Sequence, residues 1–174
     1  MTEAEWKAPA VERERAPRVA GEREMLDAWL EFHRQTLLDK CAGLTAEQLR
    51  LRSVEPSSLS LLGLVRHMAE VERWWFRSVW REERLPELFC TDEEEDGDFD
   101  LVDDADAAAD FATFRAEVEQ ARKEAAGRAL DDTFVGRRGE INLRWVYVHM
   151  IEEYARHNGH ADLIRERIDG VVGD

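Results

Sequence analysis

The sequence predicts an all-α fold, a four-helix bundle with one long acidic crossover between its second and third long helices. Apolar residues recur at steps of three and four in four separate stretches, and no credible run alternates with the period of a strand. Between the second and third stretches, residues 91–110 hold eleven Asp/Glu and no Lys or Arg, a charge density that keeps a connection off the core. A chain of 174 residues fits one domain and can build a core without staples. The organisation expected is a charged N-terminal arm over 1–21 and the bundle domain over 22–170.

In the arm, Pro9 and Pro17 break regularity, so order there must come from docking. From Glu22 to about Ala42, Met25, Leu26, Trp29, Leu30, Phe32, His33, Leu37, Leu38 and Cys41 form the stripe of an amphipathic helix that Gly43 ends. Thr45 with Gln48 at the third position resembles a capping box and starts a short turn. Ser60 is an N-cap for a second long helix reaching about Trp80, whose wide aromatic stripe suits packing on two neighbours. Trp74 and Trp75 cannot share one face, so one of them lines a cleft or a subunit contact.

The connection from Arg81 to about Asp104 is expected to be extended and solvated, or ordered only by packing of Phe99, Leu101 and Val102. Asp92, Asp96, Asp98 and Asp100 offer oxygen donors for Ca²⁺, but the spacing of a calcium loop is absent. A third helix follows from about Asp106 to Leu130, then a Gly- and Arg-containing loop from Asp131 to Glu140. Asn142 caps the fourth helix, Leu143 to about Ile168, with a stripe of Leu143, Val146, Met150, Glu153, His157, Ala161, Ile164 and Ile168, closed by Gly170.

A formal net charge of −15 repels nucleic-acid phosphates and anionic lipid headgroups, which argues against both as partners. The two cysteines, Cys41 and Cys90, form no metal-spaced pair, and Cys41 reads as a small buried hydrophobe. No apolar run of the length of a membrane span occurs, and residues 1–21 lack the apolar core of a secretory leader, so the expected compartment is the cytoplasm.

Three of the five histidines fall between residues 149 and 160. Glu153 and His157 are one turn apart and point the same way, at positions of an otherwise apolar stripe where an unpaired carboxylate and imidazole would each cost several kcal/mol. His67 interrupts the stripe of the second helix. Taken alone, each of these reads as a hydrogen-bonded core group. Together they offer two nitrogens and one carboxylate, a set that holds a divalent cation with coordination positions left open. His149 and His160 extend the same line; either could replace Glu153 as third ligand, support a ligand, or carry a proton. A partly exposed polar histidine is the plainer reading of both. Glu152 and Arg156 read as a solvent-facing pair, and His33 as packed beside the aromatic residues.

The runs Leu61–Trp75, with His67, and His149–Asp162, with Glu153 and His157, resemble the DinB/YfiT-like superfamily of metal-binding four-helix bundles over about residues 22–169. The resemblance implies a metal held by a histidine of the second helix and two residues four apart on the last. Most relatives have histidine at all three. Here the middle one is Glu153, which matches the arrangement of the mycothiol-dependent maleylpyruvate isomerase type and makes His67, Glu153 and His157 the implied ligands. His160 is not implied as one.

The activity so implied is a low-molecular-weight-thiol, mycothiol-type, S-transferase or isomerase acting on a small molecule. Zn²⁺ is the expected ion, with Mn²⁺, Ni²⁺ and Fe²⁺ compatible with the same donors. Two other readings use the same residues. One is a metal-dependent hydrolase working through bound hydroxide, with Glu152 or His160 as candidate bases; His149 joins these two as a candidate catalytic residue of the site. The other is a non-enzymatic metal-binding stress or regulatory bundle. A homodimer through exposed Trp and Phe is a further expectation.

Overall fold

The computed structural model describes residues 6–136 and 139–173. The helices are α1 (Glu22–Cys41), α2 (Ala46–Arg50), α3 (Leu61–Phe76), α4 (Gly97–Asp100), α5 (Ala107–Ala126) and α6 (Leu143–Asp169). α1, α3, α5 and α6 make the bundle: α3 lies along α5, α1 lies along α6, and α3 also touches α6. The core is continuous, from Leu30 and Leu37 on α1 through Leu64 and Met68 on α3 to Phe114 on α5 and Met150 on α6. The predicted all-α class therefore holds.

The local signals explain where elements start. Thr45 and Gln48 form the reciprocal capping box of α2. Ser60 accepts from Gly63 N at 3.1 Å, Asp106 from Ala109 N at 3.1 Å and Asn142 from Trp145 N at 2.9 Å. Gly170 closes α6 at φ 81, a left-handed backbone that favours glycine. Residues 6–20 of the arm dock: Ala8 N donates to Leu44 O and Gly43 N to Ala8 O, and Trp6 meets Phe111 edge-on at 5.4 Å. Residues 1–5 of the arm lie outside the described residues.

Four expectations need correction. The absence of strands does not hold: residues expected to be a loop form a hairpin, β1 (Thr133–Gly136) with β2 (Gly139–Asn142), pairing Phe134 with Ile141. Its four-residue strands are too short for a legible alternation; the Arg137 and Arg138 of that expected loop lie outside the described residues. Second, α3 stops at Phe76, because Trp80 Nε1 donates to the Trp75 carbonyl at 2.9 Å and takes an acceptor the helix would need to continue; Ser78–Trp80 is a 3₁₀ turn. α5 likewise stops at Ala126, four residues early, where Gly127 caps it. Third, the crossover is neither wholly extended nor solvated, since it contains α4, and Gly97, Asp98 and Val102 are buried.

The fourth correction is to the buried stripe of α6. Leu143, Val146, Met150, Ala161 and Ile164 are buried as expected, but Tyr147, Tyr154 and Asn158 complete the buried face, and Glu153 and His157 lie one residue round the helix, on the half-buried flank. Tyr154 takes the central place because its hydroxyl donates to Glu72 Oε1 at 2.7 Å, while Arg34 Nε and Nη2 hold the two Glu72 oxygens at 2.7 Å each. Glu72 is 0% exposed, and a carboxylate there persists only because all these donors converge on it.

Candidate metal centre

α3 and α6 bring His67, Glu153 and His157 together. One ligand atom from each lies within 4.8 Å of the others, and all three side chains are half-buried. Two bonds of about 2.1 Å to one centre span about 4.2 Å, so small side-chain rotations separate this arrangement from a closed coordination sphere. The rings of His67 and His157 meet edge-on at 4.7 Å, and His157 Nε2 faces Glu153 Oε2 at 3.5 Å along one turn of α6.

His67 is held by the crossover. Its Nδ1 donates to Asp98 Oδ2 at 2.8 Å, and its ring stacks on Phe99 at 4.8 Å. An ionised carboxylate only accepts, so this bond leaves Nε2 as the unprotonated nitrogen. A carboxylate behind a histidine is the support that metal-binding imidazoles ordinarily have. Asp98, 4% exposed, is thus a candidate supporting residue that its place among many expectedly solvated acids conceals in the sequence. The signal available was local: Gly97 is the one glycine in the acidic run, followed by Asp98 and the aromatic Phe99.

The seat of α4 explains that glycine. A Cβ on Gly97 would collide with the Phe89 carbonyl oxygen, and one on Gly63 would press Phe99 at 3.1 Å. Arg66 Nη2 donates to Gly97 O at 3.0 Å, and its guanidinium covers the Phe89 ring at 4.2 Å. Glu70 Oε1 accepts from the N–H groups of Leu88 at 2.5 Å and Phe89 at 2.6 Å. Three residues within one turn of α3, Arg66, His67 and Glu70, therefore tether the crossover.

The donors fit a divalent cation. Burial, then the neighbouring His67 and His160, push the His157 imidazole down to about 4, so it is a neutral ligand through the physiological range. His157 Nδ1 is buried with no hydrogen-bond partner among the described residues, so the protein leaves this ring unsatisfied. Two imidazoles and a carboxylate suit a first-row divalent ion and leave positions for a substrate atom.

The other predicted residues separate. His149, Glu152 and Glu153 form a second group of possible ligands, with His149 Nε2 3.6 Å from Glu153 Oε1. Glu152 is exposed and bound to Arg156 at 2.6 Å, as expected. His160 lies beside His157, ring centres 5.5 Å apart, and its buried Nδ1 also lacks a partner among the described residues. His33 packs on Trp29 and Phe32 and receives the Asn158 amide through its backbone carbonyl at 3.0 Å; it is not one of the three converging side chains.

His67 opens on a chamber of about 500 Å³ lined by Glu70, Asp92, Glu95, Asp96, Cys90 and the Trp74–Trp75 pair, with no Lys or Arg on its wall. Burial pushes the Cys90 thiol up to about 11 and that of the core residue Cys41 up to about 12, so neither is a thiolate near neutral pH.

A helical bundle that gathers two histidines and a carboxylate from two facing helices, beside a polar chamber, defines a candidate metal-binding bundle of the DinB type. The chain belongs to the mycothiol-S-transferase family, whose model matches residues 25–170. None of the curated proteins matches it. Among the described residues, no helix is long and apolar enough to cross a membrane.

Proposed function

We propose that this protein is a divalent-metal-dependent S-transferase or isomerase that uses a mycothiol-type low-molecular-weight thiol, with His67, Glu153 and His157 as the metal ligands and Zn²⁺ as the ion. The convergence of these three side chains within 4.8 Å, in a chain of the mycothiol-S-transferase family, is the observation that carries the reading. A bound cation supplies the positive charge that keeps a thiol ionised near neutral pH.

The chain's own residues do the rest. Asp98 fixes the His67 ring with Nε2 turned away from the crossover, and Phe99 stacks on that ring and limits its rotation. The thiol has to come from outside, because both cysteines are held protonated. Trp74 and Trp75 give the chamber an apolar wall, while Glu70, Asp92 and Asp96 offer acceptors to a hydroxyl-bearing thiol. In the transfer, the thiolate sulfur forms a bond to an electrophilic carbon, the leaving group departs with its bonding pair, and the thiol proton passes to solvent.

Metal analysis of purified protein is expected to give about one ion per chain, lost in His67→Ala and in His157→Ala. Product formation from an alkylating acceptor is expected to need added mycothiol. Unchanged metal content in both variants, or ester hydrolysis that proceeds equally without thiol, would remove the reading, the latter in favour of the hydrolase.

A further inference from the structure

On the far side of the Trp74–Trp75 wall lies a second cavity, a cleft of about 920 Å³ between the end of α3, the hairpin and the start of α6. That volume falls in the range of small-molecule sites, roughly 300–1,000 Å³. Its wall is apolar and aromatic, and three of its residues come from the tryptophans: Trp74, Trp75 and Trp145. The hairpin contributes Phe134, Val135 and Ile141. Trp145 is 46% exposed and Val135 82%, so the apolar lining is left open to water.

His149 joins the cleft to the metal centre. It lines the cleft, stacks on Trp145 at 4.8 Å and an interplanar angle of 18°, meets Trp75 edge-on at 4.7 Å, and faces Glu153 at 3.6 Å. Trp74 and Trp75 belong to the walls of both cavities. A molecule seated in the cleft is thus one aromatic layer from whatever fills the acidic chamber.

The two cavities differ in charge. Among the described residues, the chamber wall carries acids and no Lys or Arg, whereas the cleft wall carries Arg81 and Arg84 with the carboxylate of Glu82. Arg81 is committed to Glu124 at 2.5 Å. Arg84 has no carboxylate partner among the described residues; its guanidinium lies over the Trp74 ring at 4.5 Å. In a chain of net charge −15, a guanidinium without a carboxylate at the edge of an aromatic cleft favours a planar anion, which it can bind while stacked.

We propose that the cleft formed by Trp74, Trp75, Trp145, His149 and Arg84 is a subsite for a planar aromatic molecule bearing a carboxylate, the acceptor of the transfer; the word acceptor rests on the function proposed above, the binding site does not. The ring lies among the indoles, and the carboxylate pairs with Arg84. The hydrophilic thiol keeps the acidic chamber, from which an aromatic carboxylate is repelled.

The test is calorimetric titration of the full chain with 2-naphthoate. Saturable binding of about one molecule per chain is expected, weakened at least tenfold by Trp145→Ala and by Arg84→Glu, and at least tenfold weaker for 2-naphthylmethylammonium, about 1.4 kcal/mol per factor of ten. Both substituted side chains are at the surface, so folding is retained and is checked by circular dichroism. His67→Ala, which removes a proposed metal ligand, is expected to leave 2-naphthoate affinity within about twofold. No saturable binding, indifference to both cleft variants, or equal binding of the ammonium analogue overturns the subsite. A dimer that Val135→Glu makes monomeric, with no 2-naphthoate binding, assigns the face to a second copy and likewise overturns it. A protein that holds no metal and transfers nothing, yet binds 2-naphthoate with these sensitivities, loses the transfer function and keeps the site.

Discussion

Asp98 lies outside the proposed ligand set and holds one of its members, His67. Its carboxylate sits 2.8 Å from His67 Nδ1 and also accepts from Phe99 N at 3.0 Å, so it sets both the tautomer and the orientation of the ring. Asp98→Asn keeps the shape and loses the charge. We expect metal affinity to fall by about 10–100-fold, read by competition with a chromophoric chelator, with the helical circular dichroism unchanged; unchanged affinity would make the contact structural only. His157 gives a pH prediction. An unfolded histidine titrates near 6.5, while the folded ring is held down to about 4, so between these values the unfolded state binds more protons and stability falls as pH drops. The metal-stripped protein is expected to lose Tm from pH 6.5 towards 4, with a shallower slope in His157→Leu. Equal slopes in the two proteins would show that another group governs acid sensitivity. The residue types of the cluster were legible because a histidine or a glutamate in an apolar stripe stands out; Asp98 was not, since one acid among eleven has no periodicity to mark it.

At the scale of elements, the existence of the long helices and two of their N-caps were legible in the sequence, because Ser60 and Asn142 act on their own backbone within three residues. It concealed whatever depends on distant partners. The middle of the α6 stripe differs from the expectation because Glu153 and His157 look core-facing until Tyr154 is known to reach Glu72, 82 positions earlier. That buried triad ties α1, α3 and α6 together at one point, and its loss should be felt globally. Glu72→Ala leaves Arg34 buried without its partner and is expected to cost about 3–5 kcal/mol in urea unfolding. Tyr154→Phe removes one bond to a charged acceptor and is expected to cost about 1.5–3 kcal/mol. If Tyr154→Phe proved as costly as Glu72→Ala, the hydroxyl bond rather than the ion pair would be the tie. The hairpin and α4 escaped for a related reason: each is four residues long and is held by tertiary contacts, Phe134 on Trp80 and Gly97 under Phe89.

For the molecule as a whole, the acidity read first as a reason to exclude nucleic acid acquires a direction once the crossover is seen to dock against α3. The net charge is −15, and carboxylates from the densest acidic segment line the chamber on which His67 opens. Such a field repels anions from the chamber and concentrates cations there, which suits the capture of a divalent ion before any substrate arrives. The consequence is kinetic. Raising ionic strength from 0.01 M to 0.15 M shortens the screening length from about 30 Å to about 8 Å, less than the span of the bundle. The association rate of Zn²⁺ with metal-stripped protein, followed by stopped-flow tryptophan fluorescence, is expected to fall by about tenfold over that range in a potassium salt of a weakly coordinating anion. Dissociation, governed by short contacts with the proposed ligands His67, Glu153 and His157, is expected to change less than about twofold. Neutralising Asp92, Glu93, Glu94 and Glu95 together, all exposed, should flatten the salt dependence and leave the occupied site intact. An association rate indifferent to salt, or a quadruple variant with the original slope, would place the capture step within the cluster itself and leave the acidic crossover only its structural task of holding Asp98 against His67.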